Sequence, residues 1–315
     1  MKTALKKKSL EESLSGHTAQ VVEVVRTLET PGNTNLSKQL NFFRENLGEL
    51  LVQTDVQYKH RSKAEELGVL TPDEIKLFFE VASHYQDDPD FDPLFAAQLT
   101  RLLYDSFKEG HNGFELSGDC LTRPINGMFW GLQSVTGEDR RMSLKYNGDG
   151  HGFNSLERVD VHLYGDVGSS FGRFSKKSTF HIEGHADFYL GHGTQNCEFV
   201  VEGNVAHSCG TDSMSGKYVL KQTVGPRIGQ NSHNSSYEIQ GDYLVNKEQS
   251  EYQKRIMGNC EFSTSSRKSL KALIKDIPAF LEGSFSFIKE VRGRPSKNKI
   301  IYLHSDGREE MVKDY

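Results

Sequence analysis

Between Met142 and Tyr243 the apolar and polar positions recur every nineteen residues. Met142, Val161, Phe180, Phe199, Tyr218 and Tyr237 form one apolar column, and Leu144, Leu163, Ile182, Val201, Leu220 and Ile239 form a second, two residues on. A mostly polar column follows, from Lys145 and Tyr164 through Glu183, Glu202 and Lys221 to Gln240. Alternation over five residues predicts a strand with one buried face. A fixed period of this size predicts a solenoid, because one unit cannot bury its own apolar face and must stack on its neighbours. Hexapeptide helices need a multiple of six, and leucine-rich repeats need a Leu/Asn framework that is absent.

Further columns share the frame. Gly172, Gly191, Gly210 and Gly229 are nineteen apart, as are Gly165, Gly184, Gly203 and Gly241 once Gln222 fills the missing place. Tight turning accounts for both ladders, since glycine accepts positive φ without strain. Phe171, Leu190, Cys209 and Ile228 make a third apolar column, and Ser178, Cys197, Gly216 and Ser235 a column of small residues where a corner excludes bulk. The expected architecture is mixed: a right-handed single-stranded parallel β-helix of nineteen-residue coils over 116–262. An α-helical region, 1–115, precedes it, and a helix and β-hairpin cap, 263–315, follow. Five coils are clear, and 125–127 are a candidate start for one more.

In the first region Val21 to Leu28 give one helical face, stopped by Pro31-Gly32. Leu36, Leu40, Phe43, Leu47, Leu50 and Leu51 predict a longer helix to about residue 57. Thr71-Pro72-Asp73-Glu74 is a capping box with proline at the first helical position, and a last helix is expected over 94–109. These helices make a cap for the exposed end of the solenoid or a separate partner-binding module. Trp130 is expected in a first strand beneath them, the alternative being an exposed aromatic that serves as a ligand platform. In the last region Leu270, Leu273, Ile274, Ile277 and Phe280 predict a second capping helix, and Ile300 to Leu303 and Met311-Val312 predict strands.

The run Glu202-Gly203-Asn204-Val205-Ala206, followed by Gly210, Met214, Gly216 and the strand Tyr218-Val219-Leu220, resembles the Gly-X-Gly-X-Gly domain. That β-helix closes the large subunit of glutamate synthase and forms most of one formylmethanofuran dehydrogenase subunit. The resemblance covers about a third of the chain, and its Gly-x-x-x-Met-x-Gly element is complete in one coil. It implies a structural wedge between catalytic parts, hence scaffolding. For an enzyme it would imply a link to glutamate synthase-like or formylmethanofuran dehydrogenase-like oxidoreductase systems. The chain opens Met1-Lys2, with no nucleophilic cysteine and no room for a flavin barrel, so no catalytic residue is carried over.

The 315 residues allow two domains. A net charge of −5 argues against a surface built wholly for nucleic acid or anionic membrane. No apolar run approaches the roughly 20 residues of a membrane helix, and the basic start lacks the apolar core of a secretory signal. Cys120, Cys197, Cys209 and Cys260 lack C-x-x-C spacing. A reduced, cytoplasmic protein is expected.

Seven of the twelve histidines lie between His151 and His233. His162 and His181 are one period apart and stack in a β-helix, so a third ligand such as Asp160 or Glu183 would make a transition-metal site. An ordinary outward ladder, Ser143, His162, His181, Val200, Val219 and Glu238, is the alternative. His207 and Cys209 have the spacing of a thiolate–imidazole pair, although Cys209 belongs to an apolar column. Asp149, Asp160, Glu183 and Asp187 offer carboxylates for a sugar cleft, without a pairing across a groove and without an aromatic row. Gly148 to Gly152 has a phosphate cradle's composition but not its strand-to-helix context. Arg292-Gly293-Arg294-Pro295 resembles an AT-hook core, with Arg292 and Arg294 as candidate DNA contacts, and equally suits a hairpin turn. The expected function is a non-catalytic assembly scaffold, without cofactor, for protein partners or a second copy of the chain. An accessory subunit or enzyme with a His-rich metal or ligand site is the alternative, and contact with AT-rich DNA a third.

Overall fold

The computed structural model describes residues 34–47, 67–134, 139–244, 260–276, 299–303 and 308–314. The expected helix over 21–28, the stretch 48–57 and the basic run 292–297 lie outside them.

The fold is mixed α/β. Helix α1, Asn35–Asn46, begins where the Thr34 hydroxyl accepts a hydrogen bond from the Ser37 amide at 3.3 Å. Helix α2, Pro72–Ala82, starts on the expected capping box: Thr71 Oγ1 accepts from the Glu74 amide and Glu74 Oε2 from the Thr71 amide. Helix α3 spans Phe91–Lys108, starting three residues before Leu94 because Pro93 fits a first helical turn. Their apolar faces meet in a phenylalanine core where Phe91 stacks on Phe95 at 4.7 Å and Phe43 lies edge-on to Phe78 at 5.7 Å. Phe79 continues this core onto Tyr146 of the sheet, at 6.5 Å.

That sheet has ten strands in sequence order: β1 Gly113–Ser117, β2 Met142–Asn147, β3 Val159–Leu163, β4 Thr179–Ile182, β5 Glu198–Val201, β6 Lys217–Leu220, β7 Ser236–Ile239, β8 Glu261–Thr264, β9 Lys299–Leu303 and β10 Glu309–Asp314. All neighbours are parallel except β9 and β10. From β3 to β7 each strand pairs nineteen residues on, as Val161 with Phe180 and Phe199 with Tyr218. Isolated parallel bridges form two more ladders, through Val167, Ala186, Val205, Val224 and Tyr243, and through Lys176, Gln195, Met214 and His233. Inside, Phe180, Phe199, Tyr218, Tyr237 and Phe262 stack in one continuous pile, neighbouring centroids 4.6–5.1 Å apart and all fully buried. Such pairs add about 0.5–1.5 kcal/mol each beyond burial.

The first repeat differs from the nineteen-residue frame. Met142 lies opposite Val159 and Leu144 opposite Val161, an offset of seventeen, so Leu144 rather than Met142 continues the aromatic column. Trp130 does not sit in a strand: it lies in a turn, 48% exposed, its indole N–H donating to Ser155 Oγ. The strand preceding β2 is β1, which runs across residues 115 and 116.

The two glycine ladders have different causes. Gly172, Gly191, Gly210 and Gly229 hold φ between +65° and +73°, the left-handed conformation. At Gly210 a Cβ would also lie 2.8 Å from Cε1 of the buried Tyr237 ring. Gly165, Gly184, Gly203 and Gly241 are not left-handed, which corrects the shared explanation. There the backbones touch: a Cβ on Gly165 would sit 2.5 Å from the Gly148 carbonyl oxygen, and one on Gly184 equally close to that of Gly165. At Gly216 a Cβ would meet the Tyr218 ring at 2.7 Å. Non-glycine residues share the strained turns, with Ser170, Tyr189, Ser208 and Arg227 at φ of 61–66°.

Helix α4, Arg267–Asp276, packs against β8 and β9. Its Ser269 hydroxyl, fully buried, donates to the Gly241 carbonyl and accepts from the Tyr243 amide, both at 2.8 Å, joining helix to repeat. Strand β10 turns antiparallel, with a register irregularity between Met311 and Lys313 and exposed Glu309 and Glu310. Among the described residues no helix is long and apolar enough to cross a membrane.

Candidate functional site

Alternation on β3 and β4 buries Val161, Leu163, Phe180 and Ile182 and sends His162 and His181 outward. Strand pairing sets the two histidines opposite each other, and their rings stack at 4.6 Å and 13°. Tyr164 also stacks on His162, at 4.4 Å. Glu183 follows β4 and places Oε1 2.8 Å from His162 Nε2 and 3.7 Å from His181 Nε2. One repeat on, Glu202 brings Oε1 to 3.2 Å from His181 Nε2 and accepts at 2.7 Å from Lys221 Nζ. That lysine, then His181, holds the Glu202 carboxyl below the usual carboxylate range. The cluster is open, with His162, His181 and Glu183 side chains 33%, 38% and 43% exposed.

Of the two acids expected near the histidines, Glu183 is the one that joins them. Asp160 turns to Arg141, whose Nε donates to its carboxylate at 2.9 Å. The column also starts differently, because Lys145, not Ser143, lies opposite His162.

The remaining candidates separate. Asp187 accepts from Ser169 Oγ at 2.6 Å, Glu183 is engaged by histidine and Asp160 by Arg141, so the partners of these acids are not other carboxylates. Cys209 is buried in the core, which pushes its thiol well up, while His207 contacts Ser208 Oγ and stacks on Phe188. Burial also lowers the His207 imidazole, with Arg227 adding to the effect. Gly148 and Gly152 hold positive φ and Gly150 bridges Val167, the geometry of a turn.

Two features lie outside the columns read from the sequence above. Ser175, Thr194, Ser213 and Ser232 form a buried hydroxyl ladder. Thr194 and Ser213 reach the hydroxyls of Tyr218 and Tyr237 at 3.1 and 3.2 Å, which satisfies the polar ends of the stacked tyrosines. The second is an exposed group of rings in which Phe174 meets His192, Tyr189 meets both His192 and His207, and Phe188 stacks on His207. Phe174, Phe188 and Tyr189 are 49%, 42% and 39% exposed. The signal was in the sequence, as consecutive Phe188-Tyr189 at positions where neighbouring repeats carry Ser169-Ser170 and His207-Ser208. A shallow groove of about 300 Å³ lies elsewhere, lined by Arg141, Lys177, Glu198 and Lys217 with Cys197 beneath. Among known proteins, no family model, no curated protein and no solved structure matches this chain, so what the site can do is read from its own residues.

Proposed function

We propose that the chain is a non-catalytic assembly scaffold that presents a rigid face to a protein partner, and that its repeat region is a right-handed single-stranded parallel β-helix of nineteen-residue coils. The hand follows the rule that parallel crossover connections are right-handed in about 98% of cases. The coil size is supported by the constant offset from β3 to β7 and by the two bridge ladders with the same spacing. On this reading the helices cap the two ends, and the likeness to the Gly-X-Gly-X-Gly domain extends to the role of a wedge between other proteins.

The observation that carries the scaffold role is the exposed ring group of Phe174, Phe188 and Tyr189 on that stacked framework. Aromatic side chains add large contact area at low entropic cost, and they anchor protein interfaces. The test compares wild type with a Phe174→Ser/Phe188→Ser/Tyr189→Ser variant by affinity capture and light scattering. Both proteins are expected to melt alike, with the variant losing the partner or self-association that the wild type retains. Identical partners and mass in the two would remove this face as the docking surface.

A further inference from the structure

The outward His and Glu side chains of β3, β4 and the following turns do more than fill a surface. We propose that His162, His181 and Glu183 bind one divalent first-row transition ion, zinc suiting the donor set best, with Glu202 released from Lys221 as fourth ligand. Tetrahedral ligands about 2.0–2.2 Å from zinc stand about 3.3–3.6 Å apart. Glu183 Oε1, at 2.8 and 3.7 Å from the two imidazole nitrogens, brackets that spacing, and Glu202 Oε1 lies 3.2 Å from His181 Nε2. The four donors therefore form a connected set that rotation of the side chains, on an unmoved backbone, closes on one ion. The ligand atoms of His162, His181 and Glu183 all lie within 4.8 Å of one another.

A fixed backbone register separates this cluster from chance surface histidines. Strand register holds the two imidazoles as neighbours; because an imidazole nitrogen binds through its in-plane lone pair, binding tilts the rings out of their 13° stack until the two lone pairs converge. Two neutral imidazoles and two carboxylates match zinc better than calcium or magnesium, which prefer all-oxygen sites. Lys221 acts as the competitor: it occupies Glu202 in the metal-free protein, and the ion must displace it.

The test titrates the metal-stripped full chain with Co²⁺, read by visible absorption, and with Zn²⁺, read by calorimetry. Wild type is expected to bind one ion with the intense absorption of four-coordinate cobalt, displaced by Zn²⁺. His162→Ala, His181→Ala and Glu183→Gln are each expected to weaken binding by at least the 10–100-fold typical of losing an outer-sphere partner. Lys221→Met, by freeing Glu202, is expected to tighten it, whereas unchanged affinity there would strike Glu202 from the ligand set. His162, His181 and Lys221 are half-buried on the outward face and Glu183 is exposed, so unchanged circular dichroism is expected and confirms that the variants fold. Binding that does not saturate at one ion, or that survives intact in His181→Ala, overturns the proposal.

Discussion

Gly210 offers a measurement in which two physical costs add. Its φ of +68° is left-handed, and an added Cβ would meet Cε1 and Cζ of Tyr237 at 2.8 and 3.0 Å. Tyr237 cannot swing aside, because it is stacked between Tyr218 at 4.8 Å and Phe262 at 5.1 Å. Gly127 provides the control, since it is also left-handed, at φ +75°, but a Cβ there meets nothing within 4 Å. Gly127→Ala should cost only the conformational penalty, about 1–2 kcal/mol. Gly210→Ala should add an overpacking cost of about 1–3 kcal/mol, for a total of roughly 2–5 kcal/mol. At about 2 °C per kcal/mol for a chain of this size, calorimetry should show Tm falling by roughly 4–10 °C for Gly210→Ala and 2–4 °C for Gly127→Ala. Because the Tyr237 hydroxyl is the nearest obstacle, Tyr237→Phe should recover part of the loss in the double variant, giving a coupling of about 0.5 kcal/mol or more. Equal shifts at the two glycines, or strict additivity with Tyr237→Phe, would refute the steric half of the reasoning.

Two further outcomes are expected. Ser269→Ala removes one buried hydroxyl and leaves the Gly241 carbonyl and Tyr243 amide without it, so unfolding free energy should drop by about 1–3 kcal/mol, and amide exchange at Tyr243 should accelerate. A drop within a few tenths would show that α4 is not fastened there. Burial pushes the Cys197 thiol up to about 11 and raises Cys209 further. A folded value above the unfolded one means that the stabilisation is complete below about pH 9 and is lost as pH rises towards 11. The denaturant midpoint should therefore fall between pH 8.5 and 10.5, and fall less in a Cys197→Ala/Cys209→Ala variant; an equal decline in both would exclude the thiols as its cause.

Much of the sheet was legible because its repeat is written in apolar residues. Phe180, Phe199, Tyr218 and Tyr237 are large, nineteen apart and followed two positions later by branched aliphatics, so stacking is the way to bury them all. The slip at β2 was invisible for a physical reason. Met142, Leu144 and Tyr146 alternate over three inward positions, and moving a strand by two residues keeps the same face inside. Strand β1 was missed because it offers only Phe114 and Leu116 as a signal just after a helix. At the candidate site the period announced that His162 would meet His181. Whether Asp160 or Glu183 joined them depended on Arg141, a long side chain whose reach no column records. The glycine ladders were seen but given a single cause, since sequence does not distinguish a left-handed residue from a crowded one.

Strand β10 has a meaning for how this molecule behaves in a crowd. A stack of identical repeats is a template: each one presents to the next the hydrogen-bonding edge on which it was itself laid down, and a second molecule could in principle continue the series. At this end the series is broken by reversal of direction, a one-residue slip between Met311 and Lys313, and a pair of exposed glutamates. A strand laid against β10 meets a reversed direction and two carboxylates instead of the parallel edge that the earlier strands offer one another.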